Sequence, residues 1–321
     1  MTDTTRPKRY RMVSKYYKET YGEKVYKLPV ALPLTCPNRD GSAGVGGCTF
    51  CGEIGAGYEN RPAWMTVRMQ LEENIAHIGP KYKAKKFIPY YQNFSNTYLN
   101  LDDFKSYIEQ GCIDKAVGIA IATRPDCIAD EYLEILADIR KRFQKDIYIE
   151  LGLQTVNYET LEKINRGHDL AQFIDAVLRI KRYGFNITTH MIVNLPWDTM
   201  KDTIEGARIL SALGVDQVKL HALYIVKNTL MAKWYQEGQF TLISAEEYAD
   251  RVVNFVRHLH PDIVLQRLVG RAPEDNTLFT NWSMGWWRVQ DLIDDKLDEL
   301  DAHQGDLCDY LNGKAVRKFI D

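Results

Sequence analysis

Three cysteines in the stretch TCPNRDGSAGVGGCTFC carry the most distinctive chemistry in this chain: Cys36, Cys48 and Cys51. Eleven residues separate the first two and two separate the second pair, in a loop that is otherwise small, polar and rich in glycine. Its glycines allow the tight wrapping that would bring three sulfurs together. Thiolates suit zinc and iron–sulfur clusters alike. The CTFC pair alone would favour structural zinc, but that role wants a fourth protein ligand, and no His or Cys lies nearby in sequence. A four-iron cluster held by three cysteines leaves one iron open to a substrate or cofactor, and that accounts for the number three.

The elements that must position this loop follow from the hydrophobic pattern. Apolar runs at Tyr26–Leu34, Lys86–Tyr91, Ala116–Ala122, Ile147–Leu153, Ile187–Asn194 and Val215–Leu223 read as strands. Amphipathic stretches near Val67–Ile78, Leu101–Gln110, Asp130–Arg142, Phe173–Arg182 and Lys201–Leu213 read as helices between them. Such alternation implies parallel pairing through right-handed crossovers. Six units are too few for a closed eight-fold barrel and suit an open three-quarter (β6α6-like) TIM barrel, although periodicity alone also allows a doubly wound sheet. The cysteine loop directly follows the first strand, at the C-terminal strand ends where parallel α/β folds gather their reactive groups.

Three segments are expected: a basic arm over residues 1–25, the barrel over 26–225 with its cysteine loop at 36–51, and a mainly helical extension over 226–321 packed on the barrel. The 321 residues are 45% hydrophobic, with no apolar run long enough to cross a membrane and no signal-peptide pattern at the start, so a cytoplasmic protein is expected. Six cysteines in this length make no disulfide framework, and Cys112, Cys127 and Cys308 read as packing residues. A formal net charge of −2 conceals a basic start: residues 1–27 hold eight Lys or Arg against three acids, interleaved with Tyr10, Tyr16, Tyr17, Tyr21 and Tyr26. That mixture could grip a phosphate backbone and stack bases, or form a solvated arm that packs its tyrosines on the barrel. Trp282, Trp286 and Trp287 read as packing between a C-terminal helix and the barrel, with base stacking as the alternative.

With its aromatic Phe50 before the last cysteine, the trio resembles the cluster motif of radical S-adenosylmethionine (SAM) enzymes, though its spacing departs from the commonest CxxxCxxC form. YYQNFSNTY, GIAIATRPDCI, IELGLQT, INRGH and HMIVNLPWDT follow in order and are similar to the SAM-domain motifs of the Elongator catalytic subunit and, more distantly, of oxygen-independent coproporphyrinogen oxidases. With TCPNRDG and QRLVGRAP added, the resemblance extends over nearly the whole chain to the YhcC/YtqA-like bacterial group.

The resemblance implies a [4Fe-4S] cluster on Cys36, Cys48 and Cys51, reductive cleavage of SAM to a 5′-deoxyadenosyl radical, and a reductant such as flavodoxin or ferredoxin. It implies that Phe50 stacks beside the adenine, and that Gln92, Ser95 and Asn96 meet the methionine end in place of the family's glycine-rich GGE-like motif. Arg166 is expected on SAM's carboxylate and His190 on ribose or adenine. Thr123 and Arg124 end the third strand on the side of the cofactor or substrate. Glu150 and Gln154, four residues apart on one strand, are expected to share the inner face and meet ribose hydroxyls; the alternative is a buried network joining strands. Lys219 and His221 point inward on the sixth strand, toward substrate or toward an acid across the barrel. The Elongator-like motifs and the basic arm lean toward tRNA modification, with a porphyrin-like or other metabolite as the alternative substrate. A zinc-bearing module without catalysis would not need the ordered SAM motifs.

Overall fold

A computed structural model describes residues 7–53, 55, 57–271 and 274–320. Arg6 and Asp3 of the basic arm, and Ala272 and Pro273 of the QRLVGRAP segment, lie outside the described residues. All six expected strands form, as β1 (Val25–Val30), β2 (Lys86–Tyr91), β3 (Gly118–Thr123), β4 (Asp146–Gln154), β5 (Asn186–Ile192) and β6 (Gln217–His221). A short pair, β7 (Ile225–Val226) and β9 (Thr277–Phe279), stands apart as an antiparallel ribbon. Between these two, β8 (Val264–Arg267) adds a seventh strand to the main sheet, whose order β1-β2-β3-β4-β5-β6-β8 is parallel throughout. The sheet curls into a partial barrel, and the expected fold class holds.

Helices cover its outer face: α2 (Val67–Tyr82), α3 (Leu101–Gln110), α4 (Asp130–Phe143), α5 (Tyr158–Lys163), α6 (Leu170–Arg182) and α7 (Met200–Leu213). Their starts are chemically defined. Thr66 and Asn100 accept N–H bonds from Met69 and Asp103, and Asp169 and Gln172 form a reciprocal capping box. The core between sheet and helices is aliphatic, with Leu28, Ile121, Ile149 and Ile187 wholly buried.

The extension after Tyr224 is mainly helical, as expected, through α8 (Leu230–Gln236), α9 (Ala245–His258) and α10 (Trp286–Glu299). It also supplies β8, which sequence reading missed because four residues carry too little periodicity. Trp282 packs as expected: its indole N–H donates to Ile243 O at 2.7 Å and its ring meets Tyr248 and Phe279. Trp287 stays 42% exposed.

The N-terminal arm is not a free tether. Leu265 N–H donates to Arg11 O, which lays the arm along β8. The helix α1 (Val13–Tyr21) then closes the N-terminal end of the barrel, with Tyr17 buried edge-on against Tyr148 and the Tyr21 hydroxyl donating to Asp146. Lys8 pairs with Asp294, and Arg9 with Asp298 and Asp301, on and just after α10. These acids belong to the segment Asp291–Asp301, so two of the arm's cations are paired with the acidic C-terminal segment.

Candidate active site

The cysteine loop sits over the C-terminal mouth of the barrel, held from two sides. Thr49 N–H donates to Ile164 O, and Met231 N–H, on α8, donates to Thr49 O. A tight turn brings Cys51 N–H onto Cys48 O. All three thiols are free; Cys48 is buried and the other two half-buried. Two guanidinium groups and an amide approach the sulfurs. Arg39 Nη2 lies 3.2 Å from Cys51 Sγ, Arg166 Nη1 lies 3.4 Å from Cys48 Sγ, and Asn38 Nδ2 lies 3.7 Å from the same sulfur. Burial raises the Cys51 pKa, the neighbouring Cys48 adds to the rise, and Arg39 opposes it. Buried thiols crowded together and faced by cations form a donor set for soft, electron-rich metal chemistry. Among the described residues, no three His, Cys, Asp or Glu side chains converge on one point as a single ion would require. A cluster spreads its ligands over several metal atoms and demands less convergence. The residues therefore fit an iron–sulfur cluster.

Cys127 was expected to stand alone, yet it lies within electrostatic reach of Cys36. Burial is the main cause that pushes its thiol up to about 11, with Asp126 next.

Arg166 is the residue that joins the loop to the barrel. Its Nη2 donates to Gly152 O at 2.7 Å, while its buried Nε has no partner among the described residues. Gly152 makes this approach possible: a Cβ there would lie 2.8 Å from both Arg166 Nη2 and Gln154 Nε2. Gln154 reaches that point through an irregularity. The β4–β5 register shifts between Gly152 and Gln154, and Gln154 adopts a left-handed φ of 78°. Simple alternation from Glu150 does not place it; the bulge does. His168 Nε2 shares Gly152 O at 3.0 Å, and burial, assisted by Arg166 and Arg124, lowers its pKa to about 3 and keeps the ring neutral.

On the opposite side of the mouth, the YYQNFSNTY loop is largely self-supporting. Asn96 is wholly buried, and its amide nitrogen donates to the carbonyls of Tyr91, Asn93 and Ala122. The hydroxyls of Ser95 and Thr97 both meet Thr123 Oγ1. Asn96 and Ser95 thus fix the shape of the loop, and Asn96 Oδ1 is left without a partner among the described residues. Half-buried Gln92 is tied to β1 by its backbone N–H on Val30 O. Arg124 is locked by Asp126 and by Arg166 O. Phe50 packs on the cluster of Leu161, Ile164, Leu195 and Leu223 at the rim, which pins the loop to the barrel.

The barrel interior corrects the expectation for Glu150. This carboxylate is 1% exposed, and its oxygens are taken by Lys27, by Lys219 Nζ at 2.7 Å and by His190 Nε2 at 2.7 Å. It meets protein cations rather than ribose, the interstrand network that was the alternative. Burial works against its charge, but Lys219, Lys27 and His190 together hold its pKa well below the ordinary carboxylate value. Burial lowers Lys219 to about 7 and His190 to about 4, so neutral His190 donates its Nε2–H to Glu150. Lys219 also lies over the Tyr90 ring at 4.7 Å. The His190 ring stacks on His221, whose Nδ1 lies 2.6 Å from Arg267 Nη2. Lys27 and Arg267 were missed. A lysine inside the apolar run VYKLPV was the available signal for the first, and nothing marked the strand that carries the second.

The fold is thus a parallel partial α/β barrel that carries a three-cysteine loop over its C-terminal strand ends. Residues 37–210 match the Radical SAM superfamily, and residues 215–299 match the Radical_SAM C-terminal domain. The chain belongs to the radical SAM superfamily, whose members are enzymes. It is 33% identical over 312 residues to the uncharacterized protein YtqA of Bacillus subtilis, covering 96% of each chain. It is 32% identical over 281 residues to YhcC of Escherichia coli K12, covering 87% of this chain and 89% of that one. Among solved structures, the archaeal Elp3 of Methanocaldococcus infernus shares the fold at a TM-score of 0.66 and 14% identity, covering 87% of this chain and 64% of the other.

Proposed function

We propose that this chain holds a [4Fe-4S] cluster on Cys36, Cys48 and Cys51, and that it binds and reductively cleaves SAM beneath that loop. The observation that carries the reading is three free thiols in one loop at the barrel mouth, two of them faced by guanidinium groups. When bound, the cluster supplies the electron that splits SAM into methionine and a 5′-deoxyadenosyl radical. The protein binds, orients and excludes water. Arg166 offers its unpartnered Nε to SAM's carboxylate while its Nη1 stabilises the Cys48 thiolate. Gln154, aimed over Gly152, meets the ribose; Phe50 flanks the adenine; and Gln92 with Thr123 borders the methionine end, on a loop shaped by Ser95 and Asn96. His190 sits one layer deeper and positions Glu150. Flavodoxin or ferredoxin is the proposed electron donor.

The reading is tested by incubating the reduced, anaerobically prepared protein with SAM and measuring 5′-deoxyadenosine. Slow formation without substrate is expected. Arg166→Ala is expected to weaken SAM binding by roughly 1.5–3 kcal/mol, the loss of a charge-assisted hydrogen bond. Unchanged SAM affinity in that variant would remove Arg166 from the carboxylate.

For the substrate we favour a small molecule entering the barrel over tRNA held by the N-terminal arm. Lys8 and Arg9 are engaged by acids of the C-terminal region, and α1 closes the end of the barrel away from the cysteine loop. The Elongator-like motifs still support tRNA modification, through a surface other than the arm. Wild-type protein titrated with tRNA at low salt is expected to show no saturable affinity. Replacing Lys8 and Arg9 with serine is expected to lower the denaturation midpoint. Tight binding that weakens steeply with salt would restore the tRNA reading.

A further inference from the structure

The segment TCPNRDG supplies the first of the three thiols and then two residues, Asn38 and Arg39, that reach the other two. Half-buried Arg39 spans the loop from end to end. Its backbone N–H donates to Cys36 O at 2.8 Å. Its Nη1 donates to Glu53 O at 3.0 Å, while its Nη2 is shared among the carbonyls of Cys51 and Gly52 and Cys51 Sγ, the last at 3.2 Å. The guanidinium lies over the Phe94 ring, 5.0 Å from its centroid, which fixes the plane of the fork. Gly47 gives the stem its path: its φ is +79°, and a Cβ there would fall 3.1 Å from Arg39 Cγ and 3.2 Å from Nε. Asn38 completes the frame. Its carbonyl accepts from Gly47 N–H at 2.7 Å, and its amide donates to Asn165 O at 2.6 Å beside Cys48 Sγ.

These contacts bear on the unusual spacing of the cysteines. Closing the eleven residues between Cys36 and Cys48 costs more chain entropy than a short spacing does, and a glycine-rich segment has many other conformations to choose from. Every bond named above runs within the protein, so it closes this longer loop without calling on a metal. The guanidinium's donors end on carbonyl oxygens and one sulfur, which sets its positive charge beside the Cys51 thiol. Reducing an iron–sulfur cluster adds a negative charge, and a cation hydrogen-bonded to a ligating sulfur favours that state. We propose that Arg39 is a positioning residue that preassembles the cysteine loop and raises the reduction potential of the cluster bound there. The proposal rests on the reading that Cys36, Cys48 and Cys51 hold such a cluster.

Two measurements on the full chain test it, with Arg39→Met and Arg39→Lys as variants. Hydrogen exchange of the metal-free protein reads the loop itself. The amides of Gly47 and Cys51, bonded to the carbonyls of Asn38 and Cys48, should exchange about tenfold faster in both variants, while those of the main sheet do not change. Lysine fails here because one ammonium cannot bridge three carbonyls and a sulfur. Redox titration of the cluster-loaded protein reads the charge. Arg39→Met should shift the ratio of reduced to oxidised cluster about tenfold toward the oxidised form, a fall of about 59 mV for one electron. Arg39→Lys, which keeps the charge but loses the fork, should fall by less. Unchanged exchange in Arg39→Met overturns the preassembly, and faster exchange with an unmoved potential overturns the tuning role. Should Arg39→Met hold no cluster, the potential of Arg39→Lys decides, and a value equal to wild type overturns the proposal. Wild-type protein that takes up no iron removes the cluster reading itself, while exchange in the metal-free chain still upholds or overturns the preassembly.

Discussion

Cys36→Ala, Cys48→Ala and Cys51→Ala are each expected to yield protein that holds no iron–sulfur cluster and forms no 5′-deoxyadenosine, while Cys112→Ala, Cys127→Ala and Cys308→Ala retain both. The effect is expected to be all-or-none because the proposed cluster has three thiolates as its protein ligands, and the loop that carries them has no fourth thiol to substitute. Cys127 is the demanding control. It lies near Cys36, but burial pushes its thiol up to about 11, and the same cause raises Cys112 to about 11. Burial raises Cys51 as well, so what sets these two apart is place: neither belongs to the loop that carries the three thiols. Iron and sulfide analysis of the six variants checks this. Loss of iron in Cys127→Ala alongside its retention in Cys36→Ala would mean that the ligand set is misassigned.

Glu150→Gln is expected to be the most destabilising single substitution in the barrel interior, by about 3–5 kcal/mol, because removing one member of a buried charged network leaves the others uncompensated. The carboxylate holds two ammonium groups and orients His190. Glutamine keeps the shape but not the charge, leaving Lys27 and Lys219 facing each other across a buried site. The double variant Glu150→Gln, Lys219→Met should recover part of the loss, since the two residues share one network. The acid side has a defined sign. Glu150's pKa is lower in the folded chain, so its contribution is fully present above the ordinary carboxylate value and fades as pH falls through the depressed one. Urea denaturation at neutral pH measures the effect; a midpoint in Glu150→Gln equal to wild type would show that the network is not under electrostatic tension.

The contrast between these two sites explains what the sequence could reveal. The gathering of Cys36, Cys48 and Cys51 on one loop was legible because it depends on residue type and spacing alone, and the six strands were legible because each carries a long enough apolar run. Arg166 was found by resemblance, but its contact with Cys48 comes from residues 118 apart in sequence. Glu150 was placed correctly on the inner face, yet its partners come from β1, β5 and β6, and no local pattern announces them. Gln154 reached the mouth through a bulge that simple alternation does not foresee. The basic arm was legible only in part: its charge was visible, but the acids of the C-terminal region that pair with Lys8 and Arg9 lie about 290 residues away along the chain.

The most direct measurement of the central claim is electron paramagnetic resonance of the anaerobically reconstituted, dithionite-reduced protein, recorded before and after SAM is added, with iron, sulfide and zinc quantified on the same sample. The expected result is about four irons and four sulfides per chain, as thiolate ligation of a cubane cluster requires. A reduced-cluster signal whose shape changes when SAM is added should accompany it. A protein that carries stoichiometric zinc and no iron, or a cluster whose signal is indifferent to SAM, would contradict the account.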